Sequence, residues 1–134
     1  MLLLNKQMRI LAIDYGQKKI GVALATSRLA EPYRVIRFAS NTALIKELGK
    51  IIEEEKIEKL VVGVSEGEMG EESKRFGEKL KTEFKLPLYF QDETLTTRSA
   101  QELSLEAGIK RKKRKELEDA YSAALILEAY LDSN

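Results

Sequence analysis

The amino-acid sequence predicts one α/β domain: a mixed five-stranded sheet, antiparallel at its start and parallel at its end, with helices on both faces. Three observations predict it. Two short apolar segments near the N-terminus are joined by a loop of hairpin length. Helical periodicity begins only after a third such segment, and from there helices and short apolar runs alternate. The 134 residues suit a single domain, and no repeat, low-complexity tract or linker divides them.

The first strand is Arg9-Ile10-Leu11-Ala12-Ile13-Asp14, apolar on both faces until its last residue. Tyr15-Gly16-Gln17-Lys18 connects it to Lys19–Ala25, the second. Tyr33–Ala39, after Pro32, is the third. Thr42–Lys56 places Leu44, Ile45, Leu48, Ile51 and Ile52 at helical spacing, with Asn41 as the expected N-cap. Leu60–Val64 is a continuous apolar run, the pattern of a strand covered on both faces. Met69–Phe84 is helical through Phe76, Leu80 and Phe84. Leu86–Phe90 is the fifth strand, with Pro87 near its start, where a missing donor is tolerated. Thr96–Ala107, stopped by Gly108, and Lys113–Leu131 are the last two helices. Strands joined by short connections form an antiparallel meander, whereas those separated by helices run parallel.

Composition narrows the chemistry. The chain has no Cys and no His. It therefore has no thiol nucleophile, no disulfide, no imidazole base and no Cys/His zinc site. Carboxylates, hydroxyls, amines and a hard cation held by oxygen remain. A net charge of +1 gives no overall pull toward polyanions. No apolar run is long enough to cross a bilayer, and Met1–Leu4 lacks the flanks of a targeting segment, so no membrane partner and a cytoplasmic location are expected.

Four of the 22 acidic residues are Asp, in a chain that otherwise uses Glu. Asp is a poor interior helix residue, so Asp14, Asp92 and Asp119 stand out. In open α/β sheets, sites lie beyond the carboxyl ends of strands. Asp14-Tyr15-Gly16 ends the first strand, where Gly16 permits a tight turn near a phosphate; an ordinary hairpin turn explains the same residues equally well. Gln91-Asp92-Glu93 follows the fifth strand and could simply be a polar loop before a helix capped by Thr96. Asp119 lies inside the last helix, one turn before Ser122-Ala123-Ala124, small residues that let a helix approach a sheet. If it does, Asp14, Glu93 and Asp119 converge; if it does not, Asp119 is a surface residue paired with Lys115.

Three converging carboxylates raise one another's pKa unless a cation is present. An all-oxygen set suits Mg²⁺ or Mn²⁺. Two such ions about 4 Å apart serve phosphodiester hydrolysis without His or Cys. Lys110, Arg111, Lys112, Lys113, Arg114 and Lys115 form six consecutive positive charges. They are either a solvated face or a sequence-independent phosphate contact, which Lys18, Lys19 and Arg98 would extend. Glu66, Glu68, Glu71 and Glu72 make the loop after the fourth strand acidic, which repels nucleic acid.

The segment Arg9–Ala23, the run Asp92-Glu93-Thr94-Leu95-Thr96-Thr97, and Lys112-Lys113…Asp119…Ala123-Ala124 resemble, in that order, three motifs of the YqgF family. Its members are described both as Holliday junction resolvase-like proteins and as pre-16S ribosomal RNA nucleases. The resemblance implies a ribonuclease H-like fold over residues 8–134, with residues 1–7 as an N-terminal extension. It also implies Mg²⁺- or Mn²⁺-dependent phosphodiester cleavage, with Asp14, Glu93 and Asp119 at the family's acidic positions. The implied partner is structured RNA, namely the small-subunit ribosomal RNA precursor, with branched DNA as the alternative. There are departures. Gly63-Val64-Ser65-Glu66-Gly67-Glu68-Met69-Gly70 stands where the family commonly has a Gly-Leu-Pro-Leu-Asn-Met-Asp-Gly-like loop. Thr94 replaces a usual Arg, and Gln17 a usual Thr or Ser. The acids stay while the loop changes. This leaves a further alternative, a non-catalytic RNA-binding factor in ribosome maturation, and leaves open whether Glu66 joins the site.

Overall fold

The computed structural model describes residues 8–27, 29–93, 108 and 111–133, and among these described residues are five strands and three helices. The strands are β1 (Ile10–Asp14), β2 (Lys19–Ala25), β3 (Ala30–Arg37), β4 (Lys59–Val64) and β5 (Leu88–Asp92). The helices are α1 (Asn41–Glu54), α2 (Glu68–Phe84) and α3 (Arg111–Ser133). The expected helix over 96–107 lies outside the described residues, as does the segment 1–7.

The sheet order is β3-β2-β1-β4-β5. β1–β2 and β2–β3 pair antiparallel, and β1–β4 and β4–β5 pair parallel, as the connections predict. Side chains alternate across each strand and so build two separate cores. Leu11 and Ile13, Ile20 and Val22, and Leu60 and Val62 join Leu44, Leu48 and Ile51 of α1 and Phe76 and Leu80 of α2. On the opposite face, Ile10 and Ala12, Ala23 and Ala25, and Val61 meet Ala123, Ala124, Ile126, Leu127 and Tyr130 of α3.

Three expected boundaries move, each for a local reason. The N-cap of α1 is Ser40 and not Asn41: Ser40 is extended (φ −149°, ψ 156°), and its Oγ accepts the Ala43 N–H at 3.1 Å. β3 starts at Ala30 and contains Pro32. It is an edge strand whose pairing with β2 shifts register between Val22 and Ala23, beside Pro32, so the missing N–H disturbs little. β5 begins after Pro87, whose carbonyl accepts the Leu60 N–H at 2.9 Å, and runs on through Asp92. The carboxyl end of the fifth strand is thus Asp92 and not Phe90, and Glu93 follows at the sheet's rim.

Candidate active site

Asp14 closes β1 on the face covered by α3, because Ile10 and Ala12, four and two residues back, pack there. Its partner on β2 is Gly21. One residue beyond the Ile13–Val62 pair, Asp14 comes level with Gly63 of β4, which in turn pairs with Gln91 of β5. Glycines therefore flank Asp14 on both sides, and each leaves space that a specific group fills.

At Gly21 the space holds α3 itself. A Cβ there would stand 1.8 Å from the backbone carbonyl oxygen of Asp119. The helix backbone rests directly on β2 at the residue the sequence singled out. At Gly63 a Cβ would meet Glu93 Oε1 at 2.9 Å and the Ile126 Cδ1 at 2.4 Å. Glu93 thus reaches back from the end of β5 over the strand next to β1. β4 carries no acid of its own, and Glu93 supplies one from the neighbouring strand.

Burial pushes the Asp14 carboxyl from 3.8 to about 8, reinforced by the Glu93 charge, by a hydrogen bond between the two carboxyl groups and by the charge of Asp119. Asp119, 30% exposed at its side chain, binds Lys19 through an Oδ2–Nζ ion pair of 3.1 Å. Among the described residues no three carboxylates form a closed metal-chelating cluster. Asp14 and Glu93 share a hydrogen bond, and the Lys19 ammonium sits on Asp119. The donor set is nonetheless entirely carboxylate oxygen, half-buried and electrostatically strained, which fits a hard divalent cation.

The loop that leaves Asp14 is held from the other face: the Tyr15 ring stacks on Phe76 of α2 at 4.5 Å. Burial, with Glu72 adding to it and Arg75 opposing, raises the Tyr15 hydroxyl above its usual value. Gln91, only 3% exposed, continues the Asp14 row onto β5.

A comparison with protein families decides the classification. The family model described as "RuvX: Holliday junction resolvase" matches residues 8–133. The chain belongs to this family. It is the YqgF family under another name, and membership makes the protein a nuclease. A relative from Caldanaerobacter subterraneus subsp. tengcongensis, named "Putative pre-16S rRNA nuclease", is 38% identical over 94% of this chain and 97% of its own. One from Lactococcus lactis subsp. lactis bears the same name and is 38% identical over 94% and 95%. Among solved structures, Thermus thermophilus RuvC in complex with a Holliday junction superposes with a TM-score of 0.65 at 16% identity, covering 94% of this chain and 96% of that one. At that identity the match speaks to fold alone, and the fold is the expected ribonuclease H-like one.

Within this family member the remaining site residues fall into separate places. Lys18 is exposed in the β1–β2 loop, Lys19 opens β2 on the α3 face, and Lys113 is exposed on α3. Arg98 and Lys110 lie outside the described residues, as do the side chains of Arg111, Lys112, Arg114 and Lys115. Two cations that the sequence did not single out join the picture. Arg37 pairs in register with Lys19, and Arg34 and Arg37 line an open groove with Glu116 and Leu117, between β3 and the start of α3. Their sequence signal was ambiguous, because charges on an edge strand also serve to block edge-to-edge association. Glu66 goes elsewhere. It lines an open groove with Glu68, Glu71, Glu72, Lys74 and Arg75 at the start of α2, and it is not among the groups that shift Asp14.

No described helix is long and apolar enough to cross a membrane.

Proposed function

We propose that this protein is a divalent-cation-dependent nuclease that hydrolyses phosphodiester bonds of structured RNA, trimming the 5′ end of the 16S ribosomal RNA precursor in the cytoplasm. One observation carries the metal-site part of this reading: Asp14, half-buried at a strand end, is driven to about 8 by loss of solvent, with Glu93 and Asp119 adding to it. Such strain at the end of a strand is the mark of a site built for a cation or a proton transfer. Asp14, Glu93 and Asp119 are the residues that would hold Mg²⁺ or Mn²⁺. When bound, the ion supplies Lewis-acid stabilisation of the phosphoryl group and lowers the pKa of water.

The chain's own residues do the rest. The proton between Asp14 and Glu93 must leave before both carboxylates can serve as ligands, so ion binding strengthens as pH rises toward 8. α3 carries Asp119 to the sheet through its contact with Gly21. Lys18, Lys19, Arg37 and Lys113 offer point charges to phosphates around the same end of the sheet, and they give affinity without sequence preference. Arg98 and the remaining charges of 110–115 are assigned to the same strand-holding role. RNA is preferred as substrate because relatives about 38% identical over nearly the whole chain carry that name. A four-way DNA junction, the family description's substrate, is the second reading; symmetric resolution would need a dimer with two sites.

The test is cleavage of a structured ribosomal RNA precursor and of a four-way DNA junction, with Mg²⁺, with Mn²⁺ and with chelator. The wild type is expected to cut the RNA only with a divalent ion. Asp14→Asn is expected to lower that rate at least about a thousandfold while RNA binding stays within about threefold. Retained cutting in Asp14→Asn defeats the assigned site. A folded wild type that binds RNA but cuts nothing with any ion makes the protein a non-catalytic maturation factor.

A further inference from the structure

We propose that Lys19 is an internal counter-ion of this site, its ammonium neutralising Asp119 until a divalent cation takes its place. The inference rests on the proposed cation site and goes beyond it, to how the site is kept ready without an ion.

The geometry is direct. Lys19 Nζ lies 3.1 Å from Asp119 Oδ2, between two elements one hundred residues apart in sequence. The pair is set by the fold: Lys19 and Gly21 share one face of β2, and Gly21 seats the Asp119 backbone. The other two acids face each other through a hydrogen bond, so Lys19 serves the third. Lys19 is 43% exposed at its side chain, and an ion pair so close to water is held weakly enough to exchange. A divalent cation on Asp119 would repel the ammonium at the same carboxylate. The displaced ammonium, on its flexible four-carbon stem, stays within reach of the site and becomes available to a phosphate oxygen of the bound strand. Lys19 is a positioning residue in this scheme, acting on Asp119 and not on the reacting atoms.

The experiment is a Mn²⁺ titration of the full chain, free of nucleic acid, followed by calorimetry. It compares wild type, Lys19→Met, Lys18→Met and Lys19→Arg, with circular dichroism to verify folding. Removing the competitor in Lys19→Met is expected to tighten Mn²⁺ about fivefold, the equivalent of a surface ion pair. Lys18→Met removes the same charge one residue away and is expected to change affinity less than about twofold. Lys19→Arg keeps the charge and grips a carboxylate at two points, so it is expected to weaken Mn²⁺ binding. Unchanged or weaker binding in Lys19→Met overturns the proposal, and so does equal tightening in both Met variants. If Lys19→Met does not fold, Lys19→Arg decides: weaker binding supports the exchange and unchanged or tighter binding overturns it. A wild type that binds no Mn²⁺ removes the cation site itself, whereas a binding wild type matched by Lys19→Met removes only the counter-ion.

Discussion

The two faces of the sheet are built from different residues for different work. The α1/α2 face is filled by Leu11, Ile13, Ile20, Leu44, Leu48, Ile51, Leu60, Phe76 and Leu80, large side chains that hold the helices off the strands. The α3 face is floored by Ala12, Ala23, Ala25, Gly21 and Gly63, and α3 answers with Ala120, Ala123 and Ala124. Bulky residues give one face its buried apolar area. Small residues give the other a close approach, near enough for helix backbone to touch strand backbone beside Asp14. Most of the large buried apolar side chains gather on the first face, and the catalytic candidates on the second.

Gly21→Ala is the substitution expected to hurt most, because it strikes both properties. The added Cβ would lie 1.8 Å from the Asp119 carbonyl oxygen, so α3 must lift. A displacement of about 1 Å at Asp119 is expected to cost about a hundredfold in cleavage rate. Overpacking adds about 1–3 kcal/mol of destabilisation, read from urea unfolding. Wild-type cleavage by a folded Gly21→Ala protein would break the link between close packing and the site.

Leu48→Ala sharpens the comparison from the other side. Leu48 is fully buried on the α1/α2 face. Truncation is expected to cost about 2–5 kcal/mol of stability while leaving the cleavage rate of the folded protein within about twofold. A large loss of rate at constant folded fraction would show the two faces to be coupled.

The smallest effect separates the faces by pH. The folded-state value of Asp14 is about 8 against 3.8 for the unfolded group, so between these limits the folded protein holds a proton that the unfolded chain has released. Stability of the ion-free protein therefore falls as pH rises from about 4 to about 8, and this contribution is flat above that. Asp14→Asn removes it. Melting temperatures in chelator are expected to diverge across this window, with the variant higher at pH 8 by a few degrees, on the order of the usual shift per kcal/mol. Leu48→Ala is expected to run parallel to wild type throughout. Parallel curves for Asp14→Asn would mean that the Asp14 proton is not held in the folded state.

Much of this architecture is legible along the chain. Alternation and periodicity place every described element within a few residues. Chain order with connection length gives the antiparallel-then-parallel sheet. The scarcity of Asp among many Glu picks out Asp14, Asp92 and Asp119, of which the proposed site uses the first and the last. What was missed is instructive. Gly21 and Gly63 sit inside strands, where a glycine signals close approach of something, but the sequence does not say of what. Asp119 has a sequence neighbour, Lys115, that suggests a helical pair; that side chain lies outside the described residues, and Lys19 from β2 does pair with Asp119. Helical spacing makes the first pairing thinkable from sequence; only the seating of α3 makes the second.

The division has a physical basis. Secondary structure and face assignment follow from local periodicity and from the burial of apolar side chains, terms set by residues a few positions apart, and the sequence by itself determined them. So did the exclusion of thiol and imidazole chemistry. The charge state of Asp14, the reach of Glu93 over Gly63 and the Lys19–Asp119 pair arise between residues from different strands and a distant helix. Their energies depend on distance and on exclusion of water, quantities that exist only once the two faces of the sheet are covered. The tertiary structure decided those.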